Sequence, residues 1–165
     1  MNVFYLSSGP WECAQYHCDK HVVKMVVEYA QLLSTAHRML DADVITAEFA
    51  DGLYKKTHVN HPSAVWVRSS RDHYDWLYTL FVALCVEYTW RYKRVHLTWI
   101  KLKHLLETPP VNIPDAGFTP PPQAMPDEYK NEDTIAAYRA YYLGAKSAIL
   151  KFTRVPTPQW ILESQ

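Results

Sequence analysis

The run from Trp11 to Leu40 constrains the fold most, because it carries two sets of residues at helical spacing. Val22, Val23, Val26, Ala30, Leu33 and Leu40 recur at the three- and four-residue intervals of a buried helix face. His17, His21, Lys24, Glu28, Gln31, Thr35 and Arg38 recur at alternating fours and threes, so they line another face. A polar stripe ordinarily just meets water. This one holds two histidines, a lysine, an arginine and a single carboxylate, where a solvated helix mixes Glu with Lys freely. Its flanks, Tyr16, Met25, Val27, Tyr29 and Leu32, are apolar or aromatic, which predicts a groove. Glu28 is one turn from Lys24 and two from His21. It is either half of a plain i,i+4 ion pair, in the weaker Lys-first order, or a working carboxylate in a cationic pocket.

A chain of 165 residues is one domain by length, able to bury about 70% of its unfolded surface. Its 17 basic and 17 acidic residues cancel, which counts against extensive duplex binding but not against a local basic patch. Eight histidines add positive charge as pH falls. Three cysteines, an odd number, and an N-terminus without a basic leader predict a reduced, cytoplasmic protein. No apolar stretch approaches the ~20 residues that span a bilayer, so no membrane partner is expected. Aromatic residues make up 14% of the chain and suit both packing and the stacking of a base.

Along the chain, Val3 to Leu6 predicts a short strand or an extended arm on the core. Ser8 is a candidate cap and Pro10 a first-turn residue for a helix from about 10 to 40, broken near Cys18 and Asp19, with Asp19 capping the second part. Residues 41–52 read as a polar connection with room for a helical turn, and 54–62 as an ordered loop. A second long helix covers about 63–94, restarting at Ser69 or Ser70. Its apolar face carries Trp76, Leu77, Leu80, Phe81, Leu84 and Tyr88, and Glu87, Arg91 and Arg94 form a polar edge. A third helix spans about 96–106. Residues 109–126 hold seven prolines and predict a packed surface loop. A last helix covers about 127–151, with Asp133 a candidate cap, and the tail docks back through Trp160 and Ile161. The expected fold is all-α: a compact single-domain bundle of about four long helices over residues 1–165.

His17 and His21 stand at the i,i+4 spacing of helical zinc ligands, but no third ligand follows at a telling distance, so neither metal nor cofactor is expected. Four glycines leave no phosphate-cradling loop. Helical cysteines are more often small core residues than nucleophiles. The sharper candidate is Glu28. A carboxylate among cations can stabilise positive charge developing at a sugar carbon, which cleavage of an N-glycosidic bond requires, and a nearby amine can trap the sugar as a Schiff base.

The segment Asp19 to Glu28, DKHVVKMVVE, resembles the first helix of the phage pyrimidine-dimer DNA glycosylases of endonuclease V type, where Asp-x-His precedes the catalytic glutamate at this interval. Asn60-His61-Pro62 with Trp66, and Glu87-Tyr88, Arg91-Tyr92 and His96, resemble motifs of bacterial relatives. The opening helix also resembles small uncharacterised proteins of tailed phages. The resemblance implies Glu28 as catalytic carboxylate and His21 as a groove histidine. It also implies an α-amine nucleophile, which here falls to Met1, because Asn2 is too large for efficient Met removal, or to the side chain of Lys24.

Two functions follow. One is an N-glycosylase and AP lyase on a damaged or modified base in DNA. Its catalytic set is Glu28, Lys24 and Met1, and its substrate is held by His17, His21, Gln31, Thr35, Arg38, His61, Arg68, Arg71 and Arg91. The other is a non-catalytic binder of a small nucleotide, cyclic or of ADP-ribose type, that sequesters a signal of host defence, with arginines on phosphates and aromatic rings on the base. Either would act in the infected host cell if phage-encoded, and the sequence leaves homo-oligomerisation open.

Overall fold

The computed structural model describes all 165 residues, in eight α-helices and two short 3₁₀ turns with no β-strand. The arm Val3–Leu6 is extended and buried. Helix α1 (Pro10–Tyr16) starts on Pro10, as predicted, but its cap position is Gly9 rather than Ser8, with no side-chain bond. Ser7 serves this corner instead, accepting from Gly9 N–H and donating to Glu12 at 2.6 Å. The chain breaks at His17 and Cys18, and α2 (Asp19–Leu40) follows as a 22-residue rod. Asp19 does not cap it, because its carboxylate is committed to Arg91 and Thr153.

Helix α3 (Ala47–Gly52) is the helical turn expected within 41–52, capped by Thr46. The loop 53–61 then leads into α4 (Pro62–Ser69), which Pro62 opens and His61 caps through Ser63 N–H. The anticipated restart at Ser70 separates α4 from α5 (Arg71–Tyr92), the other 22-residue rod. Helix α6 (Leu97–Leu106) stops short of the proline pair. The last helical segment is shorter than predicted. Asp133 caps α7 (Thr134–Ala145) with two bonds, and residues 127–129 and 147–149 form 3₁₀ turns on either side. Helix α8 (Gln159–Leu162) docks the tail by burying Ile161. The four helices anticipated are thus α2, α5, α6 and α7, with α1 and α4 as separate shorter pieces.

Helix α2 packs along α5 and α4, α1 lies on α5, and α6 closes against α2. One core of 33 buried residues runs from Val3 to Tyr142. The proline-rich loop is a strap over this assembly. Its prolines donate nothing, so the few remaining N–H groups must find acceptors. Val111 and Asn112 donate to Asp41, Ala116 to Ser70 Oγ, and Thr119 to His73 Nε2 at 2.9 Å. Strap carbonyls in turn accept from Arg71 N–H, the Trp66 indole and the Tyr138 hydroxyl. No helix is long and apolar enough to cross a membrane.

The polar edge expected on α5 is largely interior. Arg91 is 3% exposed and donates to Glu87, Asp19 and the carbonyls of Gln15 and His17, whereas Arg94 remains outside against Tyr88. Two buried carboxylates share the guanidinium, so removing it strands Glu87 and leaves Asp19 with Thr153 alone. Arg91→Ala is expected to lower stability by about 3–5 kcal/mol, seen as a lower urea midpoint at unchanged slope.

Candidate active site

Helix α2 positions the site because almost all of its surface is covered. Alongside Val22, Met25, Val26, Tyr29, Leu32 and Leu33, the polar His21, Ser34, Thr35 and His37 are also buried. The side chains that reach solvent along its middle are Val23, Lys24, Val27, Glu28 and Gln31. Val23, read as a core residue, is outside, and half of the polar stripe is inside.

The inward histidines hold the N-terminal arm. His17 Nδ1 is 2.7 Å from Cys13 O, and since a carbonyl only accepts, that nitrogen carries the proton. Nε2 then accepts from the Tyr29 hydroxyl at 2.7 Å, and the same hydroxyl oxygen accepts Phe4 N–H at 3.2 Å. His21 stacks on the Phe4 ring at 4.4 Å and shares a hydrogen bond with the Tyr142 hydroxyl at 2.6 Å. Cys13 Sγ bonds Phe4 O, and Arg139 bonds Leu6 O. His17 and His21 thus lie beneath the arm, each with a separate phenol partner.

This anchoring delivers the start of the chain to Glu28. The Met1 amine stands 3.5 Å from Glu28 Oε2, and Lys24 Nζ stands 3.3 Å from Oε1. The Glu28 side chain is 18% exposed, whereas Lys24 extends into solvent. His61 is near enough to feel the charges of the amine, His58 and Glu28, although burial is what chiefly lowers its pKa. Met1, Lys24, Glu28 and His61 therefore converge, with Gln31 one turn further along α2.

The remaining predicted residues lie elsewhere. Thr35 exchanges hydrogen bonds with the Thr57 backbone, Arg38 donates to the carbonyls of Ala50, Leu53 and Tyr54, and Arg68 donates to Val59 O. All three tie down the loop that carries His58 and His61. Arg71 is exposed and paired with Asp75, and Arg91 is interior at the far end of α2. Sequence reasoning passed over Tyr29 as a flanking aromatic. The available signal was its place next to Glu28, about a third of a turn out of the stripe.

The fold and the site define an all-helical protein built around an amine–carboxylate pair. Residues 1–101, from the arm into α6, match the family model described as pyrimidine dimer DNA glycosylase. The chain belongs to that family, and its coarse function is that of a DNA glycosylase. No curated protein and no solved structure matches the chain.

Burial depresses His17 to about 4, His21 to about 3 and His37 to about 4, from an ordinary value of 6.5. All three are neutral when folded and free to protonate when unfolded. Their contribution is complete above pH 6.5 and is lost as pH falls from there toward 4. Urea midpoints are expected to drop across that window, and a flat profile would contradict the buried neutral state. Tyr29→Phe leaves Phe4 N–H and His17 Nε2 unpaired, a loss of about 1–3 kcal/mol. Hydrogen exchange should show faster exchange at Phe4.

Proposed function

We propose that this protein excises a pyrimidine-dimer base from DNA and then cleaves the strand, with the Met1 α-amine as nucleophile and Glu28 as the working carboxylate. The observation that carries the reading is the 3.5 Å approach of that amine to Glu28 Oε2 in a part-open site. The buried arm holds that amine in place, whereas Lys24 extends into solvent.

The amine nitrogen forms a bond to sugar C1′ while the C1′–N1 bond breaks, its electron pair leaving with the pyrimidine, which takes up a proton. Glu28 faces the positive charge that develops at C1′. Loss of the amine proton and opening of the C1′–O4′ bond, with O4′ protonated, give a C1′ iminium. Glu28 next removes a proton from C2′, and those electrons expel the 3′ phosphate by β-elimination. Water then releases the sugar fragment and restores the amine.

In this reading Lys24, Gln31 and His61 line the approach to the reacting sugar, and the exposed Arg71 turns from Asp75 to meet a backbone phosphate. His17 and His21 act by holding the arm, Thr35, Arg38 and Arg68 by holding the His61 loop, and Arg91 by fixing α2. The small-nucleotide reading has less support, since the guanidiniums of Arg38, Arg68 and Arg91 are already occupied by internal acceptors.

Borohydride should reduce the iminium and leave a covalent protein–DNA adduct whose mass falls on the N-terminal peptide. Glu28→Gln is expected to slow strand cleavage by about 100-fold or more, N-terminal acetylation to abolish trapping, and Lys24→Ala to leave trapping intact. An adduct on Lys24, or none at all on dimer-containing and abasic duplex, would overturn the assignment.

A further inference from the structure

From Tyr88 to Leu106 the chain has five lysines or arginines and no carboxylate, in a protein whose total charge is zero. Arg91 is neutralised inside by Glu87 and Asp19. Of the other four, Lys93 and Arg94 stand where α5 ends, and Lys101 and Lys103 follow along α6, each exposed or half-exposed. A left-handed residue, Lys93 at φ 57°, turns the chain there and sets the two helix ends side by side.

The same corner is unusually apolar for a surface. Trp90 is 53% exposed and Ile100 66%, with Val86, Val95 and Leu97 also open. Trp90 and Trp99, with Val86 and Val95, line a groove of about 630 Å³. That volume is within the range of small-molecule pockets, roughly 300–1,000 Å³. The Lys93 ammonium sits 4.1 Å over the Trp90 ring and that of Lys103 4.6 Å over Trp99. Each indole therefore has a cation beside it.

The occupant follows from this charge. A second copy docking by two-fold symmetry would set the same basic patch against itself, like charge on like. An uncharged apolar ligand would make no use of the four cations. Indole faces flanked by lysines are the elements of a single-strand binding platform, where bases stack on aromatic rings and phosphates meet the ammonium groups. Paired bases in a duplex show only their edges, so the partner must offer unstacked nucleotides. The corner also adjoins the catalytic lane. Burial lowers the pKa of His96 on balance, against the Val23 carbonyl, next to Lys24 on α2, which raises it.

We propose that the groove between Trp90 and Trp99, with Lys93 and Lys103, is a second DNA-contact site that stacks the bases of an unpaired strand. It takes from the reading above only that the substrate is DNA. Quenching of tryptophan fluorescence in the full chain by oligothymidylate tests it. Oligothymidylate should bind more tightly than a duplex of equal length. Trp90→Ala and Trp99→Ala should each weaken it about tenfold, and the Phe variants should restore most of the loss. Lys93→Gln and Lys103→Gln should each lower the slope of log affinity against log salt by about 0.7. Unchanged melting temperatures would show that the alanine variants fold.

Unaltered oligothymidylate binding in both alanine variants would overturn the proposal. So would a groove that serves self-association in sedimentation, or that binds anionic vesicles in place of DNA. Borohydride trapping read in parallel separates the two claims. Trp-dependent strand binding without trapping removes the enzymatic reading alone, and trapping without Trp-dependent binding removes this inference alone.

Discussion

The buried guanidinium of Arg91 is the contact on which the arrangement depends. It reaches from the last turn of α5 to the break between α1 and α2, where it meets two carbonyls, Asp19 and, from its own helix, Glu87. A charge in a protein interior is tolerated only when its donors are matched and its sign balanced, and Arg91 has both. The effect is directional. With its first residues fixed against α5, the rod α2 carries Glu28 to a set height and azimuth, nine residues from Asp19.

Chain termini ordinarily fray, because little holds them against the entropy of the free end. Here Val3 to Leu6 are buried, and one hydroxyl, that of Tyr29, couples the Phe4 amide to His17. The arm thereby holds the Met1 amine 3.5 Å from the Glu28 carboxylate, an order that a free terminus would lack. The buried histidines therefore contribute by staying neutral and fixed. Their depressed pKa values reflect the cost of charging them beneath the arm.

Zero net charge suits a DNA-directed protein poorly only when charge is averaged over the whole chain. Residues 88–106 contain no carboxylate; of those that reach this region, Asp19 and Glu87 are consumed inside by Arg91, and Glu107 lies beside His104 at the far end of α6. The surface field there is positive although the total is nil. Short-range contact with phosphates responds to that local field, since at physiological salt charges beyond about 8 Å are screened.

Much of the helical layout was legible in the sequence because its signals are local. Pro10 and Pro62 open helices, Asp133 caps one, and Ser70 interrupts another. Periodicity could not say which stripe of α2 was buried, because on a helix surrounded by neighbours both faces go inward. His17, His21 and Thr35 were assigned to a groove for that reason, and their actual partners, Tyr29, Tyr142 and Thr57, lie 12, 121 and 22 residues away. By itself the sequence determined where the chain turns helical, since capping, proline and glycine act over one turn. Only the tertiary structure decided which polar groups meet each other, because a buried hydrogen bond exists only once distant segments have excluded water around it.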